Sequence, residues 1–409
     1  MLFREFFSRS LTKTIIVLAI TCLCFTAMSA VAEDEIKIGA AVSLTGNFAA
    51  GGKDLKSGYD LAVKHINDDG GIYVKALGKK VPINLIIDND ESDTTKTVSR
   101  MEKLNSIDKV VAYLGGFASG MNVPQLAVAE KNKVPWVGVT IAVDAPFEQG
   151  YKYVFRAWDN GYLDTESLIG IIESVPKDKR PTKLAYWELQ TDWGLETGKA
   201  VRELCPKHNI KIVSYKKYSP GTKDFSPLIL DAKKAGAEIV YTTYIPPQSL
   251  TVPKQMKELD WRPQLHCSQR GPDLGGYWDV LGEDANYILS SGTWDEAYDF
   301  PGNKKMVKDY YAMHPAATFI GLPVGAGYMA VQVLADAIKR SGTLDRNQIR
   351  NALAATDIAT IRGHMKFDKE GKAILKEGWR QWQNGKQILV YPLENAVGPV
   401  LLAPPWGEK

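Results

Sequence analysis

Val110-Val111-Ala112-Tyr113-Leu114-Gly115-Gly116-Phe117-Ala118-Ser119-Gly120-Met121-Asn122 is the stretch on which the chain turns. An apolar run ends in glycines and small polar residues, and the helix-compatible Val123-Pro124-Gln125-Leu126-Ala127-Val128-Ala129 follows. The pattern predicts a strand delivering a tight turn to a helix N-terminus. Free N–H groups of a first helical turn and the positive end of the helix dipole favour an anion, and glycines let it approach the backbone. Ser119 adds a hydroxyl donor. An ordinary strand-to-helix turn of an α/β protein has the same pattern, so the stretch needs its neighbours to decide between them.

Those neighbours repeat it. Glu35 to Leu44 reads as a strand, followed by the loop Thr45 to Gly52 and a helix whose Leu55, Tyr59, Ala62 and Ile66 form one apolar stripe, stopped at Asn67-Asp68-Asp69-Gly70-Gly71. Val81 to Asp88 reads as the next strand, Asp93 to Ile107 as the next helix, and Val134 to Thr140 as a fourth strand. A β-α-β-α-β-α-β order predicts a parallel sheet with helices on both faces and ligands at the carboxyl ends of its strands. The loops Ser43–Gly51, Gly115–Asn122 and Thr140–Asp144 then meet at one rim, and their convergence favours the anion site.

A second α/β series follows Tyr153-Val154-Phe155-Arg156. Strands are expected at Leu184–Trp187, Ile210–Tyr215, Ile239–Thr243, Gln264–Cys267 and Ile288–Trp294, with helices at Gly194–Leu204, Phe225–Ala235 and Pro246–Leu259. A long apolar helix runs from Gly321 to Ser341-Gly342, and Trp379 to Pro392 reads as a hairpin turning at Asn384-Gly385. The fold class is therefore α/β, two doubly wound parallel-sheet lobes.

Composition agrees. A chain of 409 residues with 45% hydrophobic content supports about two domains. The net charge of +3 gives no basic excess to attract nucleic acid. Arg4, Arg9 and Lys13 precede the apolar run Ile15 to Phe25, and Ala30-Val31-Ala32 supplies a small-x-small site. Residues 1–32 read as a cleaved export signal. Cys22 and Cys24 lack the small residue expected before a lipidated cysteine. Cys205 and Cys267 remain, as a disulfide or as buried thiols.

Several motifs are set aside. Asp88 to Asp93 has Asp93 where a calcium loop needs glycine and Ser99 where it needs glutamate, so it reads as a solvated strand end. Gly325-Ala326-Gly327-Tyr328-Met329-Ala330 matches a dinucleotide fingerprint, but Pro323 interrupts any preceding strand and the small residues suit close helix packing. His65, His208, His266, His314 and His364 show no paired ligand spacing, and Ser119 is not in G-x-S-x-G. No enzyme, cofactor or metal is read.

The chain resembles the branched-chain amino-acid-binding family of periplasmic solute-binding proteins, the capture subunits of ABC importers. The markers are Ile36-Lys37-Ile38-Gly39 with Leu44-Thr45-Gly46, Gly58 with Ala62, Ile66-Asn67 and Gly70-Gly71-Ile72, then Gly115 to Ser119. In the second series they are Asp192-Trp193-Gly194, Gly221 with Asp224-Phe225-Ser226, and Tyr328 with Ala330 and Leu334.

The resemblance implies two lobes joined by a three-crossing hinge, 33–157 with 293–362 and 158–292 with 363–409. It implies a periplasmic protein, expected to be a monomer, that hands a small molecule to a membrane permease; a ligand-sensing module is the alternative. The ligand carboxylate is expected at Phe117, Ala118 and Ser119 and at Thr140, Ile141 and Ala142. Trp193 is the expected aromatic lid, and a tyrosine is expected at Tyr244 or Ile245.

The family's acid for an α-ammonium falls near Gln269, beside Arg270, where this chain has none. Either Asp273, Glu188 or Asp192 replaces it, or the ligand is an acid or amide without an α-amine. Phe117, Trp158, Trp193, Tyr244 and Trp294 either form an apolar slot or fill the core between lobes.

Overall fold

Alternation along the first strand sets the architecture: Ile36, Ile38, Ala40 and Val42 enter one core while Ala41 enters the core on the opposite face. The computed structural model describes residues 35–373 and 375–407. The export-signal reading of residues 1–32 lies outside them, and among the described residues no helix is long and apolar enough to cross a membrane.

The strands are β1 (Ile36–Val42), β2 (Ile72–Val74), β3 (Lys79–Val81), β4 (Ile83–Asn89), β5 (Ala112–Leu114), β6 (Trp136–Gly138), β7 (Val154–Arg156) and β8 (Lys183–Leu189). They continue with β9 (Lys211–Tyr218), β10 (Ile239–Thr242), β11 (Leu265–Ser268), β12 (Ile288–Gly292), β13 (Asp357–Thr360), β14 (Gly363–Lys366), β15 (Gly378–Gln383) and β16 (Lys386–Tyr391). The first sheet runs β4-β1-β5-β6-β7, all parallel. The connection leaving β1 runs to β4 on one side and the connection leaving β5 runs to β6 on the other, so a crevice opens at the carboxyl ends of β1 and β5. The second sheet runs β16-β15-β12-β11-β10-β8-β9. In it Leu184 and Tyr186 face one core, and Ala185, Trp187 and Leu189 the other.

Three features differ from the sequence expectation. Pro82, which has no N–H, splits the expected strand Val81–Asp88: β3 pairs with β2 as a separate hairpin and β4 joins the sheet. The second sheet is not wholly parallel, because β15 and β16 add an antiparallel hairpin at its edge, turning at Asn384 and Gly385 with φ of 50° and 81°. Helices Gly161–Ser174, Asn303–Met313 and Arg346–Ala354 lie where no helix was expected.

The chain passes between sheets three times. It leaves β7 for the helix Gly161–Ser174, and leaves β12 for the helix Leu322–Ser341, which packs on the first lobe. It returns to β15 after β14. Met365, Phe367, Ala373 and Leu375 belong to the first lobe's core and Trp379 to the second's. The helices Ala49–Asp68 and Leu322–Ser341 touch backbone to backbone: a Cβ on Gly58 would stand 2.0 Å from the Val324 carbonyl oxygen. Gly327 serves the same contact, since its Cβ would meet the Leu55 carbonyl oxygen at 2.7 Å, while Gly325 makes room for the Trp294 ring, which a Cβ would meet at 1.9 Å. The fingerprint is therefore a packing seam.

Asp93 caps the helix Thr94–Ser106, accepting from the N–H groups of Thr95 at 2.8 Å and Lys96 at 2.9 Å. Its neighbour Asp90 is buried and accepts the Ser43 hydroxyl at 2.6 Å, so the segment is a structural corner and not a solvated strand end. Cys205 and Cys267 are free thiols buried in the second lobe.

Candidate functional site

The carboxyl end of β5 shows how the turn is built. Gly116 donates its N–H to Asn122 Oδ1 at 2.7 Å, and Asn122 Nδ2 returns a bond to the Gly116 carbonyl at 3.1 Å. Thr140 Oγ1 donates to the same carbonyl at 3.0 Å. Gly116 has to be glycine, because a Cβ there would sit 2.6 Å from the Ala41 carbonyl oxygen.

The helix begins at Ser119, four residues earlier than the sequence suggested. Pro124 stands inside it, where its missing N–H forgoes one bond. Ala118 holds the cap position at φ 75° and supplies no side-chain acceptor. Among the described residues the N–H groups of Ser119 and Gly120 have no hydrogen-bond partner, and both residues line a cavity. Ser119 Oγ accepts the Ala142 N–H at 3.0 Å, which leaves its own proton free to donate. An anion at this turn would meet two backbone donors, a hydroxyl and a helix dipole.

The cavity holds about 590 Å³ and lies between the two lobes. One wall carries Phe48, Phe117, Val123, Thr140, Ala142 and Val143, and the opposite wall Leu189, Thr191, Trp193, Pro220, Tyr244 and Ile245, with Trp158 and Arg270 at the hinge. Phe117 reaches the wall because Gly51 leaves it room: a Cβ on Gly51 would stand 2.1 Å from the ring. Trp193 lies in the second turn-forming position of the helix Asp192–Lys207, yet packs against both cores of the first lobe, and its buried Nε1 has no partner.

Eight of the ten expected site residues meet here: Phe117, Ala118, Ser119, Thr140, Ala142, Trp193, Tyr244 and Arg270. The register question at Tyr244 and Ile245 dissolves, since both line the cavity. Ile141 does not reach it; it lies in the loop after β6, beyond Thr140 at φ 58°, and packs in the core beneath. Gln269 does not reach it either, because its amide donates to the Tyr241 hydroxyl at 2.8 Å and accepts from Thr197 Oγ1 at 3.3 Å inside the second lobe. Trp294 is core, with Nε1 donating to Asn303 Oδ1 at 2.7 Å.

Of the three replacement carboxylates, Asp273 accepts the Gly271 N–H at 2.6 Å in the interior. Glu188 is buried against Lys217 at 3.3 Å and Arg202 at 3.5 Å. Asp192 alone of the three lines the cavity, and it is exposed. Residues that the sequence reading missed include Phe48, Leu189, Thr191 and Pro220. Phe48 lies within the predicted rim loop Ser43–Gly51, and Pro220 beside the marker Gly221, so a weak signal existed for both.

Arg270 is anchored from behind. Its Nη2 meets Asp159 Oδ2 at 3.2 Å, its Nη1 donates to the Ser291 carbonyl at 2.9 Å, and its carbon Cζ stands 4.7 Å from the Trp158 ring centre. Burial pushes the guanidinium pKa down, and the carboxylates of Asp159, Asp164 and Asp273 more than reverse this, so Arg270 stays charged. Asp159, Asp164 and Glu377 bring carboxylate oxygens within 4.8 Å of one another. Burial, and then the Asp159 charge, hold both Asp164 and Glu377 well above the usual carboxylate range.

The periplasmic binding protein family model matches residues 35–381. Over 401 residues, 94% of this chain and 98% of the relative, the chain is 26% identical to Leu/Ile/Val-binding protein homolog 7 of Brucella abortus. The branched-chain amino acid transporter substrate binding protein LivJ of Streptococcus pneumoniae, solved with isoleucine, superposes with a TM-score of 0.76 at 21% identity, covering 86% of this chain and 97% of that one. A solute binding protein of R. palustris solved with benzoate superposes with a TM-score of 0.74 at 17% identity, covering 92% and 99%. With this two-lobed fold, a cavity between the lobes and a family match over most of its length, the chain belongs to the periplasmic binding protein family.

Proposed function

We propose that the protein captures a small carboxylate with an apolar or aromatic body between its lobes and delivers it to the membrane permease of an ABC importer. One observation carries the reading: the unpartnered N–H groups of Ser119 and Gly120, with the Ser119 hydroxyl, open on a cavity whose other walls are largely aromatic and aliphatic. A buried carboxylate to pair an α-ammonium is missing from the described wall, which favours an acid without an α-amine. The relatives support both ligand types, since LivJ is solved with isoleucine and the R. palustris protein with benzoate. An amino-acid ligand is the second reading, and its specific support is Asp192 on the wall.

Binding without turnover is part of the proposal. The described wall contains no histidine or cysteine, and Ser119 Oγ is held by the Ala142 N–H and not by a base. We further propose export after cleavage at Ala32, a monomer, and lobes divided at 157/158 and 292/293. The third division moves from 362/363 to the segment between Leu375 and Trp379, because Met365 to Leu375 pack with the first lobe.

The test is a thermal-shift panel in which each amino acid is paired with its des-amino acid, alongside benzoate and hydroxybenzoates, followed by calorimetry on the hits. The acid should bind at least as tightly as its amino acid. A strong preference for the amino acid would move the assignment to Asp192.

A further inference from the structure

One contact across the cleft belongs neither to the cavity wall nor to the hinge. Glu196, on the second-lobe helix Asp192–Lys207, accepts the backbone N–H of Asp144 on Oε2 at 2.7 Å and that of Ala145 on Oε1 at 3.2 Å. Both donors belong to the first-lobe loop that follows β6. Glu196 therefore clips one lobe to the other through two charge-assisted bonds to backbone, which need no particular side chain opposite.

The receiving loop is rigid. Asp144 Oδ1 is bound by Arg156 at 2.6 Å and its Oδ2 by Asn160 Nδ2 at 2.7 Å, while Arg156 Nη1 donates to the Val143 carbonyl at 2.8 Å. The Arg156 guanidinium is buried and stands 5.2 Å from the Phe147 ring centre. The same loop, two residues earlier, gives the Ala142 N–H to Ser119 at the anion turn. On the opposite side, Glu196 lies three residues beyond Trp193, on the same face of its helix, and Trp193 lines the cavity. Loop 140–145 thus touches the anion turn with one N–H and the opposing lobe with two others.

We propose that Glu196 is a positioning residue for ligand capture: it clasps the second lobe's Trp193-bearing helix to the Thr140–Ala145 loop and so holds the closed cleft in register. It is not among the residues that line the cavity and takes no part in recognising the ligand. Its effect falls on how long the lobes stay together and hence on release. The proposal rests on the two-lobed capture reading but not on which acid is captured.

The experiment is amide hydrogen exchange at Asp144 and Ala145 in the full mature protein, comparing wild type, Glu196→Ala and Glu196→Gln. Exchange at both amides should quicken at least tenfold in Glu196→Ala while β5 and β6 keep their protection. Glu196→Gln, which keeps one acceptor oxygen, should fall between. Equal exchange at the two amides in wild type and Glu196→Ala, whether slow or fast, would overturn the clasp. With benzoate and isoleucine as probes, any that binds wild type should leave Glu196→Ala about tenfold faster, at an unchanged unfolding temperature of the free protein. An unchanged off-rate would also overturn it. Failure of both probes to bind would count against the ligand reading alone, since the exchange measurement decides the clasp without them.

Discussion

Replacing Ser119 by alanine separates the two jobs of its hydroxyl. In the free protein the oxygen accepts the Ala142 N–H at 3.0 Å, and Ala142 is buried. Its loss leaves a buried donor unpaired, at a cost of about 1–3 kcal/mol. In a protein of this size that lowers the unfolding temperature by a few degrees. The proton of the hydroxyl is the part offered to an anion. A hydrogen bond to a charged group is worth about 1.5–3 kcal/mol, or about tenfold to a hundredfold in affinity. Calorimetry with a ligand from the panel reads the second quantity, and thermal unfolding of the free protein reads the first. If Ser119→Ala is destabilised but binds within twofold of wild type, the hydroxyl is only a loop tie and the carboxylate does not sit at this turn.

Other outcomes follow from the packing and the buried charges. Glu377→Gln tests the hinge cluster: burial first, then the charges of Asp159 and Asp164, raise the Glu377 pKa in the folded protein. A carboxyl raised in this way contributes stability that is fully present below its ordinary pKa and is lost as pH rises through the folded value, by about 1.4 kcal/mol per pH unit. The variant should therefore gain on wild type between pH 4 and neutrality in urea titrations; a variant equally stable relative to wild type at both ends would refute the assignment. Arg270→Met strands the buried Asp159 carboxylate and should cost about 3–5 kcal/mol in the same titrations, with much of the loss recovered by adding Asp159→Asn. Gly58→Ala pushes a methyl to 2.0 Å from the Val324 carbonyl oxygen, so the two helices must part. A loss of about 1–3 kcal/mol is expected, and an unchanged unfolding temperature would contradict the seam.

The parts of the site that were legible in the sequence are those set by local periodicity. Glycines after an apolar run marked the turn at Gly115-Gly116, and the strand expected over Val134–Thr140, observed as β6, marked the facing loop. Two placements missed the wall by one residue. Gln269 follows the end of β11 beside the lining Arg270, where one step reverses the direction of the side chain, and Ile141 lies in the loop after β6, where Thr140 at φ 58° breaks the alternation. Pro82 carried its own warning, since a proline cannot donate within a sheet, but the continuous apolar run concealed it. Glu196 was invisible for a different reason. Its partners are backbone N–H groups more than fifty positions away, and no residue type at Asp144 or Ala145 announces that they will be used.

The order in which the lobes use the chain bears on when folding can finish. His65, on the first lobe's earliest helix, pairs with the Tyr328 hydroxyl 263 positions later, and Trp379 Nε1 reaches back 212 positions to Ser167 Oγ. The stripe of Leu55 and Tyr59 stays uncovered until the helix Leu322–Ser341 arrives, and β12 has no outer neighbour until β15 does. Neither lobe can seal its core on a nascent chain from which the last strands are missing, and such distant closures are slow even in a complete one. On the export proposed above, that delay would leave the first lobe's core open until the segment up to Leu375 has crossed the membrane, and the second lobe's until the hairpin β15–β16 has followed.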